Sequence, residues 1–399
     1  MKNMKKENLI TVSVFVLVIF FFAVTFWVQK DVSFSEQENR VLQTLPEFTL
    51  EKFISGEFSK EINVYFADQF PFRDAFVGAK GVAETVFLKR ENNGVVLLKN
   101  GGVAVREMYP IEDGTIDFYN AEKMAAIGKI VKQFSDELTK NGIESAILLP
   151  PRSLDVKSHS LPNLFPLYRT ESAYSILKEE LKDSTYIDLL DWYRNAEMNG
   201  EYVYFNTDHH WTVLGAYEAY SRIMESFGMT PYKLSDFEFE IASEEFYGTT
   251  WSRSGFKFVK PDTLTFAHLK GEDETKYTVK VHDATYTKGE FKGFYDRDYL
   301  ETKDKYSAFI SGSNTYTSIT KEGEERETLL LIKDSFGHAL APFLALHFDL
   351  EIVDLNYNAS INNYFTKLDI DKVVVTYNME NVISTDNLGK LRVKITPAQ

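Results

Sequence analysis

The chain has no cysteine. Disulfides, thiolate nucleophiles and cysteine-based zinc or iron–sulfur sites are therefore excluded. Histidine is scarce, with seven residues in 399, so each one is a countable candidate for acid–base chemistry. Basic residues are outnumbered, 44 Lys and Arg against 59 Asp and Glu, for a net charge of −15. That balance argues against nucleic acid or anionic lipid as the main partner. Internal repeats and low-complexity tracts are not seen. Long apolar runs are also lacking, apart from one at the start.

That run, Leu9 to Val28, carries no charge. It matches the roughly 20 apolar residues a helix needs to cross a bilayer. Lys2, Lys5 and Lys6 precede it, against Glu7, so the N-terminus is expected in the cytoplasm and the rest outside. A cleaved signal peptide is the alternative. It would have a shorter apolar region of about 7–15 residues and a small-x-small site after it; Phe26, Trp27, Val28 and Gln29 stand there instead. The expected localisation is the cell membrane, single-pass, with the C-terminal domain extracytoplasmic. Residues 1–30 are read as cytoplasmic tip and transmembrane anchor, 31–50 as a linker and 51–399 as the extracytoplasmic domain.

The chain as a whole has an ordinary globular mix, 44% hydrophobic and 26% charged. Its aromatic supply, 22 Tyr and 32 Phe over the full sequence, suits sugar stacking or simply an aromatic core. Phe53 to Leu88 reads as helical, interrupted at Phe70–Pro71–Phe72–Arg73. Val95–Lys99 is a short strand between turn signals. Helical spacing then runs from Asn120 to Lys140, a buried strand over Ser145–Leu149, a helix over Ser172–Lys182, a strand over Tyr186–Leu190 and a helix over Thr212–Phe227. Residues 234–321 change character, with partial alternation and many Thr, Tyr, Phe and Lys. They predict a β-rich insertion peripheral to the main sheet. From Thr328 to Tyr377 a β-α-β-α-β pattern predicts a parallel sheet with right-handed crossovers, to which Ser145–Leu149 should belong.

Two segments carry chemistry. Tyr204-Phe-Asn-Thr-Asp-His-His-Trp-Thr212 precedes a helix, and Ile332-Lys-Asp-Ser-Phe-Gly-His338 passes sharply from strand to helix. Ser335 would stand at the carboxyl end of the sheet, where open α/β sheets place their sites. Helix-start N–H groups there suit an oxyanion; the plainer role is a helix N-cap. A serine hydroxyl needs a base. Asp208 and His210, two apart, would share one face of an extended stretch, so that the carboxylate orients the imidazole. Alternatively Asp208 is an N-cap and the histidines are surface residues. Asp-His-His also opens a motif of manganese-dependent phosphoesterases, but Asp183, Asp188 and Asp191 do not complete that pattern. Two His with carboxylates remain a possible zinc site, although no metal is expected.

These segments resemble the DHHW protein family, related to the alginate O-acetylation proteins of the SGNH-hydrolase-like superfamily. The motif stands as Asp208-His209-His210-Trp211, followed by Thr212 and Gly215-Ala216, and the serine motif as Lys333-Asp334-Ser335-Phe336. Phe70-Pro71-Phe72-Arg73-Asp74 and Gly248-Thr249 match as well. The resemblance implies an α/β, SGNH-hydrolase-like fold with a mostly parallel three-layer sheet in permuted order, and a triad of Asp208, His210 and Ser335. Ordinary SGNH enzymes place the serine first; here it comes last. The family's oxyanion Asn and Gly transfer less directly. Asn378, after the last strand, is one candidate, with Gly312 and Asn314 behind it. Arg253 and Trp211 are candidate substrate contacts.

The implied function is an O-acetyltransferase acting on a cell-surface polysaccharide, with no cofactor beyond the serine acyl-enzyme. A membrane-bound O-acyltransferase is the implied acyl-donor partner. Two other readings stay open: a carbohydrate acetyl esterase using the same triad, and a non-catalytic glycan-binding or scaffold protein.

Overall fold

The computed structural model describes residues 6–35, 40–106, 109–110, 116–117, 119–163, 165, 171–283, 286–357 and 361–395. Lys2 and Lys5, on which the orientation of the N-terminus depends, lie outside these. The chain packs as two compact units. One comprises residues 1–93 with 252–258, the other 94–251 with 259–399. Compact packing thus divides the chain at Asn93, not at residue 50.

The first unit begins with α1 (Lys6–Val28), whose part Asn8–Val28 is long and apolar enough to cross a membrane, with none of it buried. In the stretch read as a linker, Phe34–Ser35 pairs antiparallel with Arg40–Val41. α2 (Leu50–Ser55), α3 (Glu57–Asp68) and α4 (Arg73–Val86) follow. Thr49 caps α2, its hydroxyl accepting from Lys52 N. Phe72, in the left-handed region at φ 58°, opens α4. The interruption expected around Phe70–Arg73 therefore lies between α3 and α4.

The second unit is mixed α/β. Its main helices are α5 (Ala121–Lys140), α6 (Glu171–Glu180), α7 (Leu190–Met198), α8 (Val213–Ser226), α9 (Gly337–Ala345) and α10 (Met379–Ser384). Its main strands are β1 (Glu144–Leu148), β2 (Tyr186–Ile187), β3 (Phe237–Phe246), β4 (Asp262–Leu269), β5 (Tyr277–Asp283), β6 (Tyr286–Lys292), β7 (Tyr316–Lys321), β8 (Thr328–Lys333), β9 (Asp349–Asp354) and β10 (Lys372–Thr376). Eight of them form one sheet in the order β6-β5-β7-β9-β8-β10-β1-β2. The five strands from β9 to β2 are parallel to one another. β8, TLLLIK, is buried along nearly its whole length, as strands covered on both faces are.

The peripheral placement of the β-rich block is corrected. β7 pairs antiparallel with β9, β5 with β7 and β6 with β5. Only β3 and β4 form a separate antiparallel ribbon. Alternation identifies β5 correctly as a strand, with Tyr277, Val279 and Val281 on its buried face. It does not name the neighbour, and the exposed edge of β9 supplied one.

The position of β8 sets the site. The chain leaves β8, returns in β9 on one side, and then crosses to β10 on the other. In an open α/β sheet the carboxyl edge at such a reversal is the usual place for a ligand. Lys333, the last residue of β8, is in register with Asp354 and Thr376; Ser335 comes two residues later.

Candidate active site

Residues 204–211 form a closed turn and not the extended stretch expected. Tyr204 bridges Trp211, and Phe205 N donates to His210 O at 3.2 Å. Buried polar groups hold the turn. Asp262 accepts from Asn206 N at 2.9 Å, and from Thr207 N and Oγ1 at 2.7 and 2.6 Å. The buried Lys157 ammonium donates to the carbonyls of Tyr204 and Phe205 at 3.0 and 2.6 Å. Asp208 Oδ1 accepts from His210 N at 3.0 Å, a local turn typical of Asp two residues ahead of its donor. Asp208 and His210 therefore share a side because of this turn, not because of strand alternation.

The serine segment is as firmly held. Asp334, fully buried, accepts from Phe336 N at 3.0 Å, Asn378 N at 2.7 Å and Asn381 Nδ2 at 2.8 Å. Trp211 Nε1 donates to Phe336 O at 3.1 Å, which ties the two segments together across 125 positions.

With both in place, His210 Nδ1 lies 2.5 Å from Asp208 Oδ1, and His210 Nε2 lies 2.6 Å from Ser335 Oγ. With a proton assigned to Nδ1, Nε2 accepts from the Ser335 hydroxyl. Burial is the largest cause pushing the His210 pKa down, to about 4, and the neighbouring His209 adds to it against the raising effect of Asp208. The imidazole is thus neutral near pH 7. Burial opposes ionisation of Asp208, but His209, His210 and the His210 hydrogen bonds outweigh it and hold the carboxyl well below the usual range.

Three residues contribute contacts that the sequence reading did not assign to the site. Thr249 donates to Asp208 Oδ2 from N at 2.8 Å and from Oγ1 at 3.0 Å. Gly248 lies so close that a Cβ there would be 2.2 Å from Asp208 Cβ. Tyr306 stacks on His210 with ring centroids 4.0 Å apart and 12° between planes. The pair Gly248-Thr249 was visible as a motif, but its contact with Asp208 depends on tertiary folding.

Other expected site residues sit elsewhere. Trp211 is fully buried, so it braces the backbone and does not meet substrate. The Asn378 side chain is engaged: Nδ2 donates to Pro150 and Pro151 carbonyls at 3.1 and 3.3 Å, and Oδ1 accepts from Glu380 N. It caps α10 and is no free oxyanion donor. Asn314 Nδ2 donates to Ser311 O, and Gly312 N to Phe309 O. Arg253 belongs to the first unit, where its Nε donates to Asn93 O at 3.0 Å. Among the described residues no acceptor takes the Ser335 N–H. Asp208, His209 and His210 place ligand atoms within 4.8 Å of one another, a donor set with room for a cation. Both His210 nitrogens are already engaged, so a metal there would displace Asp208 or Ser335.

The DHHW protein family model matches residues 172–353, which include the turn, Gly248-Thr249 and Ser335. The resemblance is to DHHW proteins. A DHHW family protein from Eubacterium siraeum has the same fold, with a TM-score of 0.57 and 20% identity over 77% of this chain and 97% of that one. Bacillus cereus PatB1, solved with a sulfonyl adduct, has a TM-score of 0.58 and 18% identity over 75% of this chain and 97% of that one. No curated protein matches. The SGNH-hydrolase-like α/β fold implied by the DHHW motifs is the fold observed, with the sheet extended by three antiparallel strands.

Proposed function

We propose that the chain is an extracytoplasmic acyl transferase, anchored by α1, that moves acetyl groups onto a cell-surface polysaccharide. The observation that carries this is the continuous hydrogen-bond path Asp208–His210–Ser335 at the carboxyl edge of β8. The distances fit a nucleophile, a general base and an orienting carboxylate.

In the first half-reaction His210 Nε2 takes the hydroxyl proton as Ser335 Oγ bonds to the acyl carbon. The Ser335 N–H is the candidate oxyanion donor. Collapse breaks the bond to the leaving group, which takes the proton from His210. In the second, a sugar hydroxyl loses its proton to His210 and attacks the acyl-enzyme. The ester bond to Ser335 breaks, and the proton returns to Oγ. Asp208 stabilises the imidazolium formed in each half. The depressed pKa keeps the resting imidazole unprotonated, the state in which it can accept the hydroxyl proton.

The acyl group must reach the site outside the cell, and a membrane-bound O-acyltransferase is the proposed supplier. A sulfonyl adduct in the PatB1 structure recommends the test. A sulfonyl fluoride should modify Ser335 in the full chain, located by peptide mass spectrometry, and leave Ser335→Ala unmodified. With an acetyl-ester donor and polysaccharide, acetylated glycan should accumulate. Free acetate alone would indicate the esterase reading. Failure of both labelling and turnover would leave the glycan-binding reading.

A further inference from the structure

The first unit contains a helix whose amphipathic sense is inverted. In α4, Phe76, Ala79, Val82, Ala83, Val86 and the C-cap Phe87 fall within a sector of roughly 140° at 100° per residue. All six are exposed, Val86 and Phe87 to 72% and 84%. The charged residues of α4, Arg73, Asp74, Lys80 and Glu84, all lie outside that sector. On the opposite side Gly81 is buried, a Cβ there would come within 2.3 Å of Gly255 O, and Arg73, Asp74, Val77, Glu84 and Thr85 are half-buried. This helix therefore packs most closely at a glycine, half-buries charged residues and turns most of its apolar side chains outward, the reverse of a surface helix in water.

The turn before α4 gives that face a depth. Phe72 stacks on Phe21 of α1, with centroids 6.2 Å apart and 3° between planes. Phe70 and Phe76 meet Phe22 at 5.4 and 5.8 Å. Phe21 and Phe22 lie about 10 Å inside the outer end of the apolar span, at 1.5 Å per residue. A polar latch holds this alignment. Gln69 Nε2 donates to Val32 O and Gln43 O at 2.9 and 2.8 Å, its Oε1 accepts from Val32 N at 3.0 Å, and Gln29 donates to Gln69 O.

We propose that the Phe70–Pro71–Phe72 turn and the exposed face of α4 form a second membrane contact, seated in the outer leaflet of the bilayer that α1 crosses. The proposal rests on the reading of α1 as the anchor. The span is about as long as the hydrocarbon core is thick, so aromatic rings stacked on its outer third lie at acyl-chain depth. The apolar face is continuous with that level. Lys80 and Lys89 flank it, where long cationic side chains reach back to the headgroups.

Because the chain has no cysteine, single-cysteine variants report position directly. Phe72→Cys, Val86→Cys, Leu17→Cys in α1 and the exposed control Lys140→Cys are made in the full chain. Each is labelled with an environment-sensitive fluorophore and reconstituted into phosphatidylethanolamine–phosphatidylglycerol vesicles containing acyl-brominated lipid. Phe72→Cys and Val86→Cys should be quenched as Leu17→Cys is, and Lys140→Cys should not. Unquenched labels at 72 and 86 beside a quenched label at 17 would overturn the second contact and leave the anchor intact. An unquenched label at 17 would remove the anchor and this proposal with it. Protection from lipid together with crosslinking between chains at 86 would assign the face to a second copy, and would overturn the proposal too.

Discussion

Two helices show how differently the two units use apolar residues. α9 has all nine of its residues buried, from Gly337 to Ala345. α4 buries only Gly81 and turns Phe76, Val82 and Val86 outward. Apolar composition says that a side chain leaves water, not what replaces the water. In α9 the replacement is the protein core, which holds the serine turn at the start of that helix. In α4, on our proposal, it is lipid. The first unit then needs only approximate placement of its side chains, whereas the second depends on contacts correct to a few tenths of an ångström.

This contrast can be broken most decisively at the serine. Ser335→Ala should lower acetyl-ester turnover on the order of 10⁴-fold or more, with an unchanged melting midpoint by circular dichroism. Full activity in this variant would remove the chemistry from the second unit altogether.

Next in size is a matched pair of truncations, followed by denaturant titration of the full chain in detergent. Phe343→Ala, in the packed face of α9, should cost about 3–5 kcal/mol. Phe87→Ala, at the exposed end of α4, should stay within about 0.5 kcal/mol. Equal costs would mean that α4 is packed in the same sense as α9.

Gly248→Ala tests the tolerance of the site more finely. The added methyl meets the Asp208 carboxylate, and misplacing the orienting group should cost about 10²-fold in kcat with little change in substrate KM. A fall in KM-dependent binding alone would contradict the positioning role.

The pH profile should show the smallest effect. The folded pKa of His210, about 4, lies below its ordinary 6.5. Turnover should hold on lowering the pH from 7 and reach half near pH 4, as the base becomes protonated. The stability linked to His210 has the same sign. It is fully present above 6.5 and is lost as the pH falls through about 4, because the unfolded chain binds that proton more readily. Asp208, also held below its ordinary range, adds a loss at still lower pH. An acid limb centred above pH 6 would show that His210 is not buried as described.

Much of the second unit was legible in the sequence because its signals are local. The apolar runs at Leu329–Ile332 and Val373–Val375 mark β8 and β10, and the turn residues between elements mark their ends. Ser335 could be placed at the sheet edge from strand-to-helix order alone. The choice of His210 over His209 rested on an extended backbone. The structure has a turn there, closed by Asp208 itself. Asn378 looked like an oxyanion donor because a carboxyl-edge Asn is free in sequence; in space its amide faces two proline carbonyls. The block holding β5 to β7 was recognisable as β-rich, yet the partner of its strands was not, because edge pairing depends on which backbone is left open; Tyr306–Ser313, read with that block, opens instead with a short 3-10 turn over Lys305–Ala308.

By itself, the sequence determined the apolar span, the alternation of strands and helices, and the two segments bearing Asp208, His210 and Ser335. Each depends on residues within a few positions of one another, where periodicity and turn chemistry act. Tertiary structure alone decided that Trp211 braces the serine turn, that Thr249 and Tyr306 contact the Asp208–His210 pair, and that α4 leaves Val82 and Val86 exposed. Those outcomes come from hydrogen bonds and ring contacts between residues far apart in the chain. Their loop-closure cost is met by the whole core folding together, and no local pattern records them.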